Sequence, residues 1–416
     1  MAFSLGTLDG ASRSWHIAKT MTHFDPASLL SSRANSADEG AIIRMSQRTR
    51  ELRALGKDIV SLTLGEPDFD TPLNIRDAAK TAMDGGFTHY SPAAGIPELR
   101  EALSVKLRVE NALHYKPTEI VVANGAKQAL NNAVLSIIGP DDEVIILAPY
   151  WVSYEGSVKF AQGKAVVLSS DVTENYKVPV SRIAAAITPA TKLIMINSPC
   201  NPTGAVWSRA ELEEIAAVVR AHPRLMVLAD EIYEYILFDG EMVSFGSLPG
   251  MQERTITLNG FSKSFAMTGW RLGYAAAPLA IAQAMGRMQS IVSAGANQFV
   301  QRAAVAALQG PRDDVEKMRL QYQVRRDMVL AGLRAIEGVA IADIPGTFYA
   351  FPDVSTLLKN KTSEHLCDFL LEEHGVAVVT GSAFGAPGSI RLSFAASAVD
   401  IKKALSRITQ GLKSFV

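Results

Sequence analysis

The sequence predicts an α/β fold: a large domain with a mainly parallel sheet covered by helices, plus a smaller α+β domain assembled from N- and C-terminal segments. Two observations predict it. Through the middle of the chain, short continuous apolar runs recur: EIVVA, EVIILA, KLIMIN, LMVLAD, TITLNG and LGYAAA. Strands that are apolar on both faces belong in sheets covered on both sides, as parallel sheets are. Between these runs lie stretches of helical period such as Lys127 to Ile138 and Arg209 to Arg220, the alternation expected of a parallel sheet with crossover helices.

In chain order, residues 1–35 show no sustained period and end in the loop-like set Ser31, Ser32 and Asn35, so they are read as an irregular N-terminal arm. From Ala41 to Leu55, apolar positions at near-helical spacing predict a helix that Gly56 stops. Residues 36–69 are assigned to the N-terminal part of the small domain and 70–310 to the large domain. After Pro311 the pattern changes to a long charged helix, Asp313 to Ile336, and 311–416 form the C-terminal part of the small domain.

Composition narrows the function classes. The 416 residues carry 41 Lys and Arg against 42 Asp and Glu, a net charge of -1, which leaves no excess to neutralise a nucleic-acid backbone. Only Cys200 and Cys367 are present, which argues against a disulfide framework and multi-cysteine metal cages. The seven histidines show no H-E-x-x-H spacing, and no G-x-S-x-G elbow occurs. No run reaches the ~18 apolar residues of a membrane span, and the first thirty residues lack the apolar core of a secretory signal. The reading is a cytoplasmic protein with no metal, nucleic-acid or membrane partner.

In an open parallel sheet, ligands bind beyond the carboxyl ends of the strands, and the residues there are chemically unusual. Asp230 ends an apolar strand, where it needs a positive partner or hydrogen-bond donors to stay ionised. Lys263 lies in NGFSKSFAMTGWRLGY, with Gly269 and Gly273 and the planar anion-binding fork of Arg271. A lysine near an arginine and away from water is pushed toward the neutral amine that attacks a carbonyl. Lys263 for an aldehyde, Asp230 for a ring nitrogen and Arg271 for a phosphate together make the inventory that pyridoxal 5'-phosphate requires. Gly125, Ala126 and Lys127 open a helix, and the free N–H groups there offer a further phosphate cradle.

With these motifs the chain resembles the class I aminotransferases of fold type I, and most closely the bacterial branch of the aspartate aminotransferases. From about Leu52 to Leu405 the landmarks run in the family's order: LGEPDFDTP, HYSPAAGIPELREAL, NGAKQAL, PYWVSY, NSPCNPTGAV, DEIYE, SKSFAMTGWRLGY and RLSFA. The resemblance makes Lys263 the lysine that holds the cofactor and Asp230 the partner of its ring nitrogen. It makes Asn201 and Tyr233 donors to the phenolic oxygen, and Trp151 the aromatic that stacks on the ring. It further implies that Arg391 grips the substrate α-carboxylate beside Gly65, that Lys127 meets a distal carboxylate, and that Tyr90 reaches the phosphate of a second subunit in a homodimer with shared sites.

Two departures bear on substrate. Where one bacterial subgroup has Lys-Pro-Ser-Ala-Thr, this chain has Asp38-Glu39-Gly40-Ala41-Ile42. Where the family often has Ser three residues before the lysine, Gly260 stands. The expected reaction is transfer of an amino group from aspartate or glutamate to 2-oxoglutarate or oxaloacetate. Aromatic amino acids or prephenate are the alternative substrates, and a lyase on the same scaffold is the alternative chemistry.

Overall fold

A computed structural model describes residues 25–35 and 40–415; Asp38 and Glu39, and the arm before Asp25, lie outside them. The chain divides into two compact units, 1–38 and 39–416. In the first, the described residues are more regular than expected: Asp25 caps a 3-10 turn at Pro26–Leu29, with Pro26 at its first position, and a single helical turn follows at Ser32–Asn35. The side chain of Asp25 accepts the Ala27 N–H at 3.0 Å, a local closure that needs no apolar period.

The second unit is α/β. Twelve strands are present among the described residues: β1 (Val60–Ser61), β2 (Ile120–Ala123), β3 (Glu143–Leu147), β4 (Lys164–Leu168), β5 (Thr191–Asn197), β6 (Met226–Asp230), β7 (Thr255–Gly260), β8 (Gly273–Ala276), β9 (Tyr349–Ala350), β10 (Val376–Ala377), β11 (Val379–Thr380) and β12 (Ile390–Ser393). The large sheet has seven, in the order β2-β8-β7-β6-β5-β3-β4. Within it β8 pairs antiparallel with both of its neighbours, and the other pairings are parallel. The six apolar runs became β2, β3, β5, β6, β7 and β8. β4 was missed although Ala165 to Leu168 is an apolar run as long as that of β2; it is an edge strand with two exposed residues, Lys164 and Val167.

The helices Ala126–Ile137 and Arg209–Ala221 cover opposite faces, each inside its own apolar cluster. The second begins at a capping box, Ser208 with Glu211. The helix after Pro311 runs from Asp313 to Arg334. Two small sheets, β1-β10 and β11-β12-β9, complete the unit. Val60 and Leu62 share one core with residues from Met318 to Phe415, so the two ends of the unit pack together. No helix of the described residues is long and apolar enough to cross a membrane.

Candidate active site

Parallel pairing sets Asn197 opposite Asp230, and Asp230 opposite Leu258, so β5, β6 and β7 end at one edge and their following turns meet there. Lys263 stands on the turn after β7. Its half-buried side chain donates to the Gly65 carbonyl at 2.5 Å. Burial draws the amine down to about 8; Glu66 opposes this, and the charges of Arg391 and Arg271 add to it. A neutral nucleophile is therefore accessible near neutral pH.

Asp230 is 3% exposed. Burial pushes its carboxyl up to about 6, against the hydrogen bonds that hold it ionised. Oδ2 accepts from the Tyr154 hydroxyl at 2.6 Å and Oδ1 from the Ile232 N–H at 3.2 Å. Trp151 meets Tyr154 edge-on, with centroids 5.6 Å apart and planes at 88°. Lys127 Nζ lies 5.2 Å from the Trp151 ring centre, its pKa lowered by burial and then by Arg271.

Gly125 precedes the helix Ala126–Ile137 at φ 85°, a left-handed conformation that favours glycine. A Cβ there would overlap the Arg271 guanidinium, 3.0 Å from Cζ and 3.3 Å from Nη1. Gly273 is as tightly placed: a Cβ would stand 2.7 Å from the carbonyl carbon of Gly125 and 2.9 Å from Ala126 Cα. The two glycines therefore let strand β8, the helix start and the Arg271 guanidinium approach closely, which puts a cation beside the N–H groups at the start of the helix.

On the other side, β12 brings Arg391 beneath Tyr349 of β9. Arg391 is 1% exposed; Nη1 donates to Asn201 Oδ1 at 3.0 Å and Nη2 to the Thr63 carbonyl at 2.7 Å, while Nε is buried without a partner. Its contacts are neutral acceptors and the faces of Tyr349 and Phe384, and burial lowers its pKa. A buried guanidinium with an unused N–H is a site for an anion. The Tyr233 and Tyr349 hydroxyls are 3.0 Å apart, and burial raises both phenols. The Tyr349 hydroxyl packs on Gly65, where a Cβ would stand 3.0 Å from its Cζ.

Lys263, Asp230, Tyr233, Asn201, Arg391 and Gly65 thus converge, with Gly125, Ala126, Arg271, Lys127 and Trp151 along one side. Tyr90 is not among them: it is 94% exposed, at a cleft of about 780 Å³ that Asn124 and residues 293–299 also line. Sequence reasoning missed Tyr154, Tyr349 and the Thr63 carbonyl. The spacing of Tyr154 from Trp151, three residues on a helical turn, is a signal that would have found the first. Tyr349 lies in a segment that none of the landmarks covers, and the Thr63 carbonyl, one residue before LGEPDFDTP, is a backbone group.

Comparison with known proteins places these residues in context. Residues 57–408 match the family described as aminotransferase class I and II. The chain is 42% identical to an aspartate/prephenate aminotransferase of Cereibacter sphaeroides over 377 residues, 88% of this chain and 94% of that one. It is 41% identical to an aspartate aminotransferase of Rhizobium meliloti over 395 residues, 92% and 95% of the two. The crystal structure of the Rhizobium meliloti aspartate aminotransferase superposes with a TM-score of 0.89 at 40% identity, covering 92% of this chain and 98% of that one.

Proposed function

The chain belongs to the class I and II aminotransferase family, and on that premise we propose that it moves the amino group of aspartate or glutamate to 2-oxoglutarate or oxaloacetate, with pyridoxal 5'-phosphate as cofactor. The observation that carries this reading is the convergence of two buried ionisable groups, Asp230 and Arg391, with the half-buried Lys263, none of which forms an ion pair among the described residues. Such groups are costly to bury alone, and a ligand with an aldehyde, a basic ring nitrogen and a carboxylate-bearing substrate would satisfy all three.

The residues fit that cofactor. The helix start at Gly125, with Arg271 so close that a Cβ would strike it, suits a phosphate held by the Ala126 and Lys127 N–H groups and the guanidinium. The orphaned Nε of Arg391 suits a carboxylate. When bound, pyridoxal 5'-phosphate supplies an aldehyde for the amino group and a ring that spreads the charge left by the departing α-proton. Asp230 would hold the proton on the ring nitrogen. Asn201 and Tyr233 would donate to the phenolic oxygen, and Trp151 would cover the ring face. Arg391, beside Gly65, orients the α-carboxylate, and Lys127 pairs with the distal one. Lys263 Nζ, displaced from the aldehyde carbon by the incoming amino group, would be placed to accept the α-proton and give it up again.

Segments 36–69 and 311–416 act in this reading as a small domain beside the cofactor-bearing domain 70–310. Two copies form a cytoplasmic homodimer in which Tyr90 of one reaches the phosphate of the other. A second reading, an aromatic or prephenate partner, rests on the double name of the Cereibacter relative.

The test is a half-reaction on the protein loaded with pyridoxal 5'-phosphate. Aspartate and glutamate should each convert the aldehyde absorbance to that of the amine, and prephenate and aromatic acids are compared as acceptors. No conversion by either acidic amino acid overturns the acidic-substrate reading. Release of ammonia without an acceptor favours a lyase. Borohydride reduction followed by peptide mapping should place the pyridoxyl label on Lys263.

A further inference from the structure

We propose that Tyr154 is a positioning residue of this site: its hydroxyl holds the Asp230 carboxylate ionised, while the edge of its ring fixes the plane of Trp151. The inference rests on the cofactor reading above and extends it to a residue with no contact to the substrate.

Tyr154 opens no surface of its own. It is 2% exposed, on the first turn of the helix Ser153–Phe160, and it points its hydroxyl at Asp230 Oδ2 across 2.6 Å. That length is typical of a hydroxyl donating to a charged oxygen. Burial raises the phenol well above its ordinary range, so Tyr154 remains the donor and Asp230 the acceptor. The groups facing Asp230 come from four elements: Tyr154 from this helix, Cys200 from the turn after β5, Tyr233 and the Ile232 N–H from the turn after β6, and Lys263 from the turn after β7. Of these, Tyr154 and the Ile232 N–H make the hydrogen bonds to the carboxylate among the described residues. Cys200 instead directs its Sγ to the Pro149 carbonyl. Lys263 donates to Gly65, so its charge reaches Asp230 only at a distance.

A hydrophobic site would be filled equally well by phenylalanine. The hydroxyl matters because Asp230 can hold a proton on a ring nitrogen only while it is itself ionised, and burial works against that. The ring has a separate use. Trp151 meets it at 88°, an edge-to-face arrangement that fixes the angle of the indole, and Lys127 lies over the indole in turn.

Two variants separate these uses. Tyr154→Phe keeps the ring and loses the hydroxyl; Tyr154→Leu loses both. Binding of pyridoxal 5'-phosphate to the full-length apoprotein is followed by tryptophan fluorescence from pH 5 to 9, with the fold of each variant checked by circular dichroism. In the wild type, affinity should fall on the acid side as Asp230 takes up a proton, and Asp230→Asn should abolish that break. Both Tyr154 variants should move it up by about one pH unit, the scale of one lost hydrogen bond to a charge. At pH 9, Y154F should bind as the wild type does, and Y154L several-fold more weakly. An unmoved break in either folded variant overturns the role of the hydroxyl, and equal binding of Y154L and Y154F at pH 9 overturns the role of the ring. A wild type that binds no cofactor at any pH overturns the cofactor reading as well, so the two failures are distinguishable.

Discussion

Replacing Gly65 with alanine adds one methyl group where the structure leaves no room. The new Cβ would overlap the Tyr349 hydroxyl and stand 3.0 Å from its Cζ and 3.4 Å from Cε1. Carbon atoms rest at about 3.5–4.0 Å, so the ring must retreat by roughly 0.5 Å or more, and its oxygen by more. It has nowhere easy to go: Tyr349 is 1% exposed, lies 4.8 Å from Phe348 between ring centres, and contacts Arg391 and the Tyr233 hydroxyl. Overpacking of this kind costs about 1–3 kcal/mol. It also displaces Arg391, Tyr233 and the carbonyl that receives Lys263. In Gly65→Ala, kcat/KM for aspartate and 2-oxoglutarate should fall by about 10–100-fold, at about 1.4 kcal/mol per factor of ten. The double variant G65A/Y349F removes the overlapped oxygen and should recover much of the loss, a coupling that a double-mutant cycle reads directly. Gly156→Ala is the control. A Cβ at Gly156 meets nothing within 4 Å, and the change should leave kcat/KM alone while adding about 0.5–1 kcal/mol of helix stability. Full activity in G65A, or a double variant as slow as the product of the two singles, would refute the packing argument.

Three further outcomes are expected. Lys263→Met should abolish transamination and, at pH 7, stabilise the apoprotein in denaturant by up to about 3 kcal/mol, since a lysine drawn from 10.5 to about 8 binds its proton less tightly folded than unfolded. That penalty is fully present below pH 8 and fades as pH rises toward 10.5, so the difference between variant and wild type should shrink over the same window; a constant difference contradicts the assignment. Lys127→Met should lower kcat/KM for aspartate by about 10–100-fold and leave alanine nearly unchanged, with equal losses for both substrates counting against a distal-carboxylate role. Lys106 and Glu234 are a buried ion pair, and Asn111 bonds to both partners. Lys106→Met should therefore cost about 3–5 kcal/mol in urea denaturation by stranding Glu234, and K106M/E234Q should recover part of it.

The large sheet was legible because its strands are buried on both faces, so each apolar run announced itself. β4 was overlooked although its run, Ala165 to Leu168, is of the same kind, and its place at the sheet edge, with Lys164 and Val167 exposed, is visible only in the fold. The site was legible where one motif carries both the backbone device and the side chain, as Gly273 and Arg271 do within SKSFAMTGWRLGY. It was not legible where partners meet through tertiary packing. Nothing near Tyr349 in the chain points to Arg391; Gly65 brings the segment of Thr63 to that arginine, yet the Thr63 carbonyl itself, as a backbone group, has no sequence signature. Tyr154 sits inside a recognised motif, yet only the fold shows that its hydroxyl is spent on Asp230.

The hydrogen bond from Arg391 to the carbonyl of Thr63 spans 328 positions of the chain. During synthesis Gly125, Lys263 and Arg271 are all made before β12 exists, so a polypeptide ending ahead of residue 390 carries them without Arg391. Such a chain also lacks Ile390, Leu392, Phe394 and the helix from Ala398, which belong to the core shared with Val60 and Leu62, so trimming the carboxyl terminus should unsettle that core together with the arginine.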